Sequence, residues 1–576
     1  MAKFSKILVA NRSEIAVRVI KSIKNKGLQS VAIFAEGDEN SNHVNLADEA
    51  LCVGPSEVSE SYLNIKNILN AAKSTGADAI HPGYGFLSEN DNFSRECEAA
   101  GICFIGPSPE IIKLMGNKAE AKRKMIEIGV PCIPGYHSQE QLDKPLIEEA
   151  KEIGFPIMIK AAAGGGGRGM RLIDNPKDME SALSSARSEA LRSFGSDELI
   201  LEKALEKPLH IEVQVFGDKH GNYLHMGERD CSIQRRHQKV IEESPGPSIP
   251  MGLQEVMGST SVEIIRSIEY VGAGTIEYLV DGEKFYFLEM NTRIQVEHAV
   301  TEMVTGLDLV AMQIDVAEGK PLAITQDEII LNGHAIEARL YAENPNNDFL
   351  PSPGKVYYWK PHESNDVRID HSISSSQEIS RFYDPMIAKV IAWGSNREAS
   401  RKRLINALNK SIFFGTNNNK HFLTSVLESE EFISADVNTN FLSERFHYKD
   451  ITEDIKLRLI PLVASFQFLK DQKRLYDKSL LSNNSLLNWR SSGRLVSKYR
   501  YSISGQYYDC LVYPEIEESL QVVVNEDKTN VSFINSKECS YQVSMNDVKF
   551  TCDFLEVSEK MCFLQYQGVT CSFENL

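Results

Sequence analysis

Glu289-Met290-Asn291-Thr292-Arg293-Ile294-Gln295-Val296-Glu297-His298 is a stretch in which polar and apolar side chains alternate. In an extended strand, successive side chains point to opposite faces. We therefore expect one strand face to carry Glu289, Asn291, Arg293, Gln295 and Glu297. Two carboxylates and a guanidinium in one row can hold a metal ion and a small anion, although a solvated strand face shows the same alternation.

Two apolar runs just before this stretch predict a β-hairpin around residues 281–284. A loop centred on Glu283 places Glu277 opposite Glu289, whereas a shift of one residue separates them, and the sequence leaves this register open. Facing carboxylates repel each other in a sheet. A hard divalent cation bound between them makes their net interaction attractive instead of repulsive. Mg²⁺ is such a cation, and it binds well to a few carboxylates plus phosphate oxygens.

The composition is that of a folded, acidic protein. Its 576 residues predict about three to five domains, and a net charge of −18 argues against nonspecific nucleic-acid binding. The ten cysteines include no Cys-x-x-Cys pair, so we expect a reducing compartment, the cytoplasm. The sequence contains no run of about 18 apolar residues, so we expect no membrane span. The first ten residues enter a strand at once, so we expect neither a signal nor a transit peptide.

Residues 1–113 alternate predicted strands and helices, as is typical of a doubly wound α/β domain. Residues 7–10 predict a strand, and residues 13–26 a helix with Ser13 as its N-cap. The turn between them lacks Gly-x-Gly-x-x-Gly, so dinucleotide binding has little support. A later glycine-rich segment, residues 81–90, is either a tight turn or a ligand contact at the end of a strand.

Residues 114–330 contain a glycine-rich segment between two predicted strands. Residues 156–160 and 170–173 predict the strands, and Gly164 to Gly167 lie between them. A Rossmann fingerprint requires a helix after the glycines and a P-loop requires Gly-Lys-Ser/Thr, and neither follows here. The pattern favours a flap whose backbone N–H groups close over phosphates, with a flexible linker as the alternative.

Several basic side chains stand out against the acidic background. Lys118 lies at a predicted helix start, Lys160 ends the strand before the flap, and His210 lies on the polar face of a predicted strand. Residues 228–239 hold four basic residues and His237. This segment is either a solvated loop or an anion-binding segment that faces ATP phosphates or bicarbonate.

The last third of the chain changes character. Residues 334–343 predict a strand with Arg339 on its face, and residues 397–410 predict a helix. Residues 457–473 predict a further helix. From Lys498 onward, short β-type runs predict a small antiparallel domain.

Residues 1–447 resemble the biotin carboxylase subunit of the biotin-dependent carboxylases, a family with the ATP-grasp fold. The resemblance rests on residues 80–90, the glycine flap, residues 235–239 and residues 289–298. Residues 448–576 resemble, more weakly, the domain that binds the carboxyltransferase subunit in acyl-CoA carboxylase α chains of the methylcrotonyl- or propionyl-CoA type. His334-Ala335-Ile336-Glu337-Ala338-Arg339 is also similar to those chains.

The resemblance implies an α/β and α+β multidomain fold. Its expected parts are a Rossmann-like N-terminal domain (1–113), an ATP-grasp domain (114–330) with a glycine-rich lid at about 132–203, a biotin carboxylase C-terminal domain (331–447), and a helix plus a small antiparallel β-barrel-like domain (448–576).

The resemblance also implies a role for each candidate residue. The residues implied in holding the ATP phosphates are Lys118, Lys160, Gly165, Gly166, Gly167 and His210. Those implied around the adenine and ribose are Glu202, Lys203, Ala204, Leu205, Gln234 and His237, and Tyr84 is also counted as cofactor-binding. The implied ligands of Mg²⁺ (or Mn²⁺) are Glu277, Glu289 and Asn291. Those implied for bicarbonate are Lys239, Arg293, Gln295 and Val296. The implied catalytic residues are Glu297, Arg293, Arg339 and Lys239.

The implied reaction is the ATP- and bicarbonate-dependent carboxylation of biotin. Glu297 would deprotonate bicarbonate, which attacks the γ-phosphate to give carboxyphosphate. Carboxyphosphate breaks to CO₂ and phosphate, phosphate takes the ureido proton of biotin, and Arg339 stabilises the enolate that captures CO₂.

The implied partners follow from the same resemblance. No Met-Lys-Met biotin-attachment signal occurs, so we expect a carrier domain that was cut away or a separate carrier protein. In either case biotin is a carried substrate, not attached to this chain. A carboxyltransferase β subunit is expected at residues 448–576, and a homodimer or larger hetero-oligomer is expected overall.

Two other interpretations remain open. Another ATP-grasp ligase, of the peptide or carbamoyl-phosphate type, shares the flap and the carboxylates but does not need Arg339 or residues 235–239. A carbamoyl-phosphate synthetase also shows an internal duplication, which this sequence lacks. A non-catalytic scaffold would recruit partners through residues 448–576, but intact candidates at every catalytic position argue against it.

Overall fold

The computed structural model describes residues 3–138, 140–163, 170–478, 495–503, 505–515 and 519–576. The N-terminal elements are β1 (Lys6–Val9), α1 (Ser13–Asn25), β2 (Gln29–Ala35), α2 (Asn42–Leu46), β3 (Glu49–Gly54), α3 (Ile65–Thr75), β4 (Ala79–His81), α4 (Asp91–Ala99), β5 (Cys103–Phe104) and α5 (Pro109–Gly116). The strands form a parallel sheet in the order β3-β2-β1-β4-β5. This order is the doubly wound one, and the apolar run of β1 is fully buried because helices cover both faces.

The start of α1 differs from the prediction. Arg12 takes the N-cap position, and Ser13 is the first helical residue with a φ of 61°. The Ser13 hydroxyl lies 3.0 Å from the hydroxyl of Ser372 in the C-terminal part of the chain. Its side chain therefore serves a long-range contact instead of a cap.

The next segment folds into a small sheet with a core of its own. Its elements are α6 (Lys118–Glu127), β6 (Gly135–Tyr136), α7 (Asp143–Ile153), β7 (Ile157–Ala161), β8 (Arg171–Ile173), α8 (Met179–Phe194) and β9 (Leu199–Lys203). The strand order is β6-β9-β7-β8, and α7 and α8 pack on the sheet. Strands β7 and β8 pair antiparallel on either side of the glycine segment, as the predicted flap requires. Gly165, Gly166 and Gly167 lie outside the described residues.

The rest of the chain up to residue 447 is built on one large sheet. Its elements are β10 (Leu209–Gly217), β11 (Tyr223–Arg235), β12 (Gln238–Ser244), α9 (Leu253–Ser267), β13 (Gly272–Asp281), β14 (Lys284–Asn291), α10 (His298–Thr305), α11 (Leu309–Ala317), β15 (His334–Tyr341), β16 (Glu343–Asn344), β17 (Leu350–Pro351), β18 (Gly354–Lys355), β19 (Tyr358–Lys360), β20 (Val367–His371), β21 (Glu378–Ile379), β22 (Met386–Gly394), α12 (Arg397–Lys410), β23 (Ile412–Phe414), α13 (Lys420–Glu428), α14 (Glu430–Ile433) and α15 (Phe441–Glu444). The predicted helix 397–410 and the strand that carries Arg339 are confirmed.

The large sheet is antiparallel and runs in the order β14-β13-β10-β11-β12-β15-β22-β20. Strands β12 and β15 pair from Ile241↔Ala338 to Ser244↔Ala335. The expected domain boundary at residue 330 thus divides a single sheet, and the boundary at residue 113 falls inside α5. The four-domain division stays a prediction.

Residues 448–576 form a nearly closed antiparallel barrel around a helix. The elements are α16 (Thr452–Lys478), β24 (Ser497–Ile503), β25 (Gln506–Pro514), β26 (Ser519–Val524), β27 (Asp527–Lys537), β28 (Ser540–Met545), β29 (Val548–Glu556), β30 (Met561–Tyr566) and β31 (Val569–Glu574). The strands pair in sequence order, and a bridge between Tyr501 and Asn575 brings the first and last strands together. Every residue of α16 from Leu459 to Phe468 is buried, which indicates that this part of the helix lies inside the barrel.

These elements confirm the predicted fold class. None of the helices in the described part of the chain is long and apolar enough to cross a membrane.

Candidate active site

A cleft of about 770 Å³ lies between the small four-stranded sheet, the large sheet and the start of α15. It brings together 18 of the predicted site residues: Lys118, Lys160, Glu202, Lys203, Ala204, Leu205, His210, Gln234, His237, Lys239, Glu277, Glu289, Asn291, Arg293, Gln295, Val296, Glu297 and Arg339. Tyr84 does not line the cleft, because its hydroxyl is turned toward Glu14, to which it donates a hydrogen bond. The chain therefore gathers residues from positions 118 to 339 at one surface.

The hairpin of β13 and β14 sets Glu277 opposite Glu289, as predicted, but for another reason. The turn contains only Gly282 and Glu283, because Asp281 pairs with Lys284. Regular pairing from this turn would put Leu288 opposite Glu277. A β-bulge between Glu277 and Tyr278 shifts the register by one residue and restores the facing carboxylates.

The opening stretch is not a strand to its end. Strand β14 stops at Asn291, the chain bends, and Glu297 is the residue before α10. Glu89 from the N-terminal domain fixes this bend, since its carboxylate accepts hydrogen bonds from the Thr292 backbone N–H (3.2 Å) and from Arg293 Nε (2.9 Å). The side chains predicted to share one face, Glu289, Asn291, Arg293, Gln295 and Glu297, nevertheless all line the cleft.

Lys239 is the centre of the site. Its ammonium lies 2.5 Å from Glu212 Oε2, 2.8 Å from Glu277 Oε1 and 2.7 Å from Glu297 Oε1. Burial alone lowers the pKa of Lys239, but the three carboxylates raise it well above its ordinary value. Burial likewise raises the pKa of Glu297, and Lys239 and Arg339 outweigh it and hold that pKa well below its usual range. Glu297 is therefore ionised at neutral pH.

Arg339 reaches Glu297 from the other side. Its Nη2 lies 3.0 Å from Glu297 Oε2, and its Nε donates to Glu242 at 2.6 Å. Burial raises the pKa of Glu242 to about 7, although Arg339 opposes the shift. Because β12 and β15 are neighbours in the sheet, Lys239 and Arg339 lie on adjacent strands and hold Glu297 between them.

Several supporting residues were not predicted. The fully buried Arg229 donates to Glu212, to Gln214 Oε1 (2.8 Å) and to Thr275 Oγ1 (3.1 Å), and so orients the carboxylate that contacts Lys239. His210, Glu212 and Gln214 alternate with apolar residues, so the sequence contained a signal for Glu212 on the same strand face as His210. Nothing in the sequence linked Arg229 to that face.

The other end of the cleft is rich in lysine. Lys118 pairs with Glu289, and Lys122, one helical turn further along α6, pairs with Glu202. Lys160 also contacts Glu202, at 2.6 Å. Burial and the other two lysines lower the pKa of Lys160 well below its ordinary value. Three lysines share two carboxylates here, and a bound polyphosphate would raise the pKa of Lys160 again and pair with its ammonium group. The spacing of Lys118 and Lys122 on α6 was a signal that the prediction did not use.

Apolar and polar side chains complete this end. The apolar lining suits a flat aromatic base and comprises Ile133, Met158, Met170, Leu172, Ile200, Leu205, Leu279 and Leu288. The amide nitrogen of Gln234 is buried and has no hydrogen-bond partner among the described residues. Thr439, Asn440 and Glu444 line the rim from the C-terminal side and were not predicted.

The residues predicted for a metal fit a hard divalent cation. Glu277, Glu289 and Asn291 supply oxygen donors of the kind that Mg²⁺ prefers. Asn291 Nδ2 donates to Glu277 at 2.9 Å, so the two side chains are close. Two tighter groups, His210 with Glu212 and Glu277, and Glu212 with Cys231 and Glu297, lie within the described residues. The ammonium of Lys239 contacts carboxylates of both groups and acts as their cation.

Three family models match the chain. They are described as "Biotin carboxylase, N-terminal domain" (residues 3–112), "Carbamoyl-phosphate synthase L chain, ATP binding domain" (residues 117–325) and "Biotin carboxylase C-terminal domain" (residues 337–444).

Curated relatives agree with these models. A biotin carboxylase of Nostoc sp. is 47% identical over 443 residues, which are 77% of this chain and 99% of that protein. The mitochondrial methylcrotonoyl-CoA carboxylase subunit alpha of Dictyostelium discoideum is 47% identical over 440 residues, which are 76% of this chain and 63% of that protein. The chain thus spans less than two thirds of the length of this longer relative.

Solved structures show the same likeness. A biotin carboxylase complex with β,γ-ATP from Campylobacter jejuni has a TM-score of 0.75 and 45% identity, over 77% of this chain and 99% of that one. The biotin carboxylase domain dimer of the Hydrogenobacter thermophilus 2-oxoglutarate carboxylase has a TM-score of 0.76 and 43% identity, over 78% of this chain and 100% of that one. That structure contains MgADP, ADP and bicarbonate.

Proposed function

Because the chain belongs to the biotin carboxylase family, we propose that it carboxylates biotin with ATP and bicarbonate by way of carboxyphosphate. The observation that carries this proposal is the position of Glu297. Its carboxylate lies between Lys239 and Arg339 in the same cleft as the lysine-rich end. A base and an anion-binding group beside a polyphosphate site are what the reaction requires.

The lysine-rich end would bind the nucleotide. Lys118 and Lys160 would contact the phosphates. Each lysine would exchange its carboxylate partner, Glu289 or Glu202, for a phosphate oxygen of the incoming nucleotide. The apolar lining and residues 202–205 would enclose the adenine. His237 and the unpartnered amide of Gln234 would contact the ribose region. Mg²⁺, when bound at Glu277, Glu289 and Asn291, would neutralise charge on the transferred phosphoryl group.

The Glu297 end would bind bicarbonate and biotin. Arg293, Gln295 and the backbone at Val296 would bind bicarbonate next to Lys239. Glu297 would accept its proton, and its basicity rises when Lys239 or Arg339 turns from it toward a substrate anion. Arg339 would then stabilise the enolate of biotin beside the released CO₂.

ATP hydrolysis with and without free biotin and bicarbonate tests this function. We expect ADP formation to require bicarbonate and to be stimulated by biotin, with carboxybiotin as product. Hydrolysis that ignores both compounds but responds to an amine or another carboxylate would assign the chain to a different ATP-grasp ligase. Absence of hydrolysis under all conditions supports the scaffold interpretation.

We extend the proposal to the assembly. The mitochondrial propionyl-CoA carboxylase alpha chain of Sus scrofa is 46% identical over 82% of this chain and 65% of that protein. This similarity supports an acyl-CoA carboxylase α subunit that acts on biotin of a carrier domain or protein. The barrel with α16 is then the expected surface for a carboxyltransferase β subunit.

A pull-down with the full chain, followed by mass spectrometry, tests these partners. Capture of a carboxyltransferase that is lost when residues 448–576 are deleted is the expected result. The expected dimer is checked by light scattering.

All ten cysteines are free thiols, which supports the expected cytoplasmic location as a reducing compartment.

A further inference from the structure

Lys389 is a fully buried lysine just behind the proposed active site. It lies on β22 with 0% of its side chain exposed. Its ammonium donates a hydrogen bond of 2.5 Å to the backbone carbonyl of Val296. Val296 directly precedes Glu297, so the buried ammonium of Lys389 is hydrogen-bonded to the turn that carries the proposed base.

Sheet register explains how Lys389 reaches that turn. Lys389 is paired with Arg339 on one neighbouring strand and with Asp370 on the other. Directly opposed residues of an antiparallel pair point to the same face. The face that presents Arg339 to the cleft therefore also directs Lys389 toward the base of the cleft, one strand further away.

Three carboxylates surround the ammonium without taking its hydrogen bond. Asp370 Oδ2 lies at 3.7 Å, Glu14 Oε2 at 3.8 Å and Glu337 Oε2 at 4.0 Å. These residues come from β20, α1 and β15, so three parts of the chain compensate the charge. Among the described residues, the hydrogen bond of Lys389 goes to Val296.

A second buried side chain holds the neighbouring carbonyl. His298 Nδ1 donates to the carbonyl of Gln295 at 2.6 Å, and the ring is fully buried. The turn from Gln295 to Glu297 is thus held from behind at two consecutive carbonyl groups. Its side chains are left to face the cleft.

We propose that Lys389 is a positioning residue of the proposed carboxylation, which holds the Val296 carbonyl and thereby sets how Gln295 and Glu297 face bicarbonate. This inference rests on the proposed function. Lys389 does not line the cleft, so it acts through the turn. At the nucleotide end, Lys118 and Lys160 pair with Glu289 and Glu202 and not with residues of this turn.

The test is Lys389→Met, which keeps the volume of the side chain and removes the ammonium. We expect KM for bicarbonate to rise about tenfold and kcat of biotin-dependent ATP hydrolysis to fall about a hundredfold, while KM for ATP stays within twofold. A purely structural role would lower thermal stability and leave both KM values of the folded fraction unchanged. That second result overturns the inference.

Lys420→Met is the matched control. Lys420 is also buried, at 1% exposure, and its ammonium donates to the carbonyl of Ser411 at 2.9 Å and to Gln565, away from the cleft. We expect a loss of stability with unchanged kinetic constants.

A second variant serves if Lys389→Met does not fold. Lys389→Gln keeps a polar side chain that is too short to reach Val296, so KM for bicarbonate again rises, at least fivefold, and an unchanged value overturns the inference. A wild-type protein without bicarbonate-dependent hydrolysis would instead contradict the proposed function, so the two failures are distinguishable.

Discussion

At the scale of single residues, the site is a set of buried charges that are matched almost one to one. Lys239, Arg339 and Arg229 face Glu297, Glu242 and Glu212. All of these residues are buried except Lys239, whose side chain is 12% exposed. Removal of one partner from such a pair leaves an uncompensated buried charge, which is far more costly than the pair itself. Substitutions at this site therefore have to keep shape and polarity if they are to report on chemistry.

Glu297→Gln is the sharpest test of the proposed base. The amide has the same size and still accepts a hydrogen bond from Lys239, but it cannot take a proton. We expect bicarbonate-dependent ATP hydrolysis to fall at least about a hundredfold, with ATP affinity within about threefold of wild type by calorimetry. Full activity in this variant would contradict the assigned role.

Glu228→Gln is a suitable control for that variant. Glu228 is buried like Glu297, but its carboxylate accepts hydrogen bonds from Gly246 N–H (3.2 Å) and Gln254 (3.0 Å) away from the cleft. We expect normal hydrolysis.

His43 gives a prediction on pH. Burial lowers its pKa to about 4, whereas an unfolded histidine has a pKa near 6.5. Below pH 6.5 the unfolded chain therefore gains a proton that the folded chain does not, and stability is lost as the pH falls from 6.5 toward 4. Between pH 7 and pH 5 this single group costs about 2 kcal/mol. We expect His43→Gln to lose about 2 kcal/mol less than wild type over that range, as measured by urea unfolding. An equal loss in both proteins would contradict the burial argument.

At the scale of elements, sequence patterns located the strands but not their irregularities. The alternation at residues 289–297 correctly indicated which side chains face the cleft, although only its first residues are in a strand. The bend exists because Glu89, some 200 positions away, binds Thr292 and Arg293. The bulge opposite Glu277 likewise depends on packing between strands, and local propensity carries no record of either contact.

The turn between β11 and β12 has a strained backbone at the cleft. Arg236 and His237 form a two-residue loop with φ of 51° and 65°, a conformation that favours Asn and Gly. His237→Gly should therefore stabilise the fold by about 1 kcal/mol. It should also raise KM for ATP about tenfold through the lost ribose contact. Thermal unfolding and steady-state kinetics measure the two effects.

Asp547→Gly is the matched control for this turn. Asp547 occupies the same second position of a two-residue loop, between β28 and β29, with a φ of 65°. It lies in the barrel, so we expect the stabilisation without the change in KM. An increase in KM for both variants would show that the effect at His237 is not local.

At the scale of the whole molecule, the sequence indicated the order of the folded units but not how strands pair across the expected border near residue 330. The change from helix–strand alternation to short β runs predicted a small antiparallel domain, and the resemblance implied its barrel-like form and the ATP-grasp core. Strand β15 lies beyond the expected border near residue 330, yet it continues a sheet that begins much earlier in the chain. A pairing between strands so far apart in sequence has no local signature.

The barrel and the cleft have separate cores, and this permits a test of their independence. Phe466 on α16 is 2% exposed and stacks on Phe554 with ring centroids 4.2 Å apart. Phe466→Ala should cost roughly 3–5 kcal/mol in the barrel, seen as an earlier unfolding transition. Biotin-dependent ATP hydrolysis should stay within about twofold of wild type below that transition. Loss of hydrolysis at a temperature where the barrel is folded would show that the two units are coupled.

Leu475→Ala on the same helix is the control. Its side chain is 65% exposed, so we expect a change within about 0.5 kcal/mol.

The pairing of β12 with β15 has a mechanical consequence. Backbone hydrogen bonds between Ile241–Ser244 and Ala335–Ala338 rigidly connect the strand of Lys239 to the strand of Arg339. Sliding one strand along the other would break all of these hydrogen bonds at once, so the pair of strands resists shear. The small sheet of β6 to β9 is not paired with these strands. We therefore expect the distance between Lys239 and Arg339, which both contact Glu297, to stay the same through each cycle of the proposed reaction.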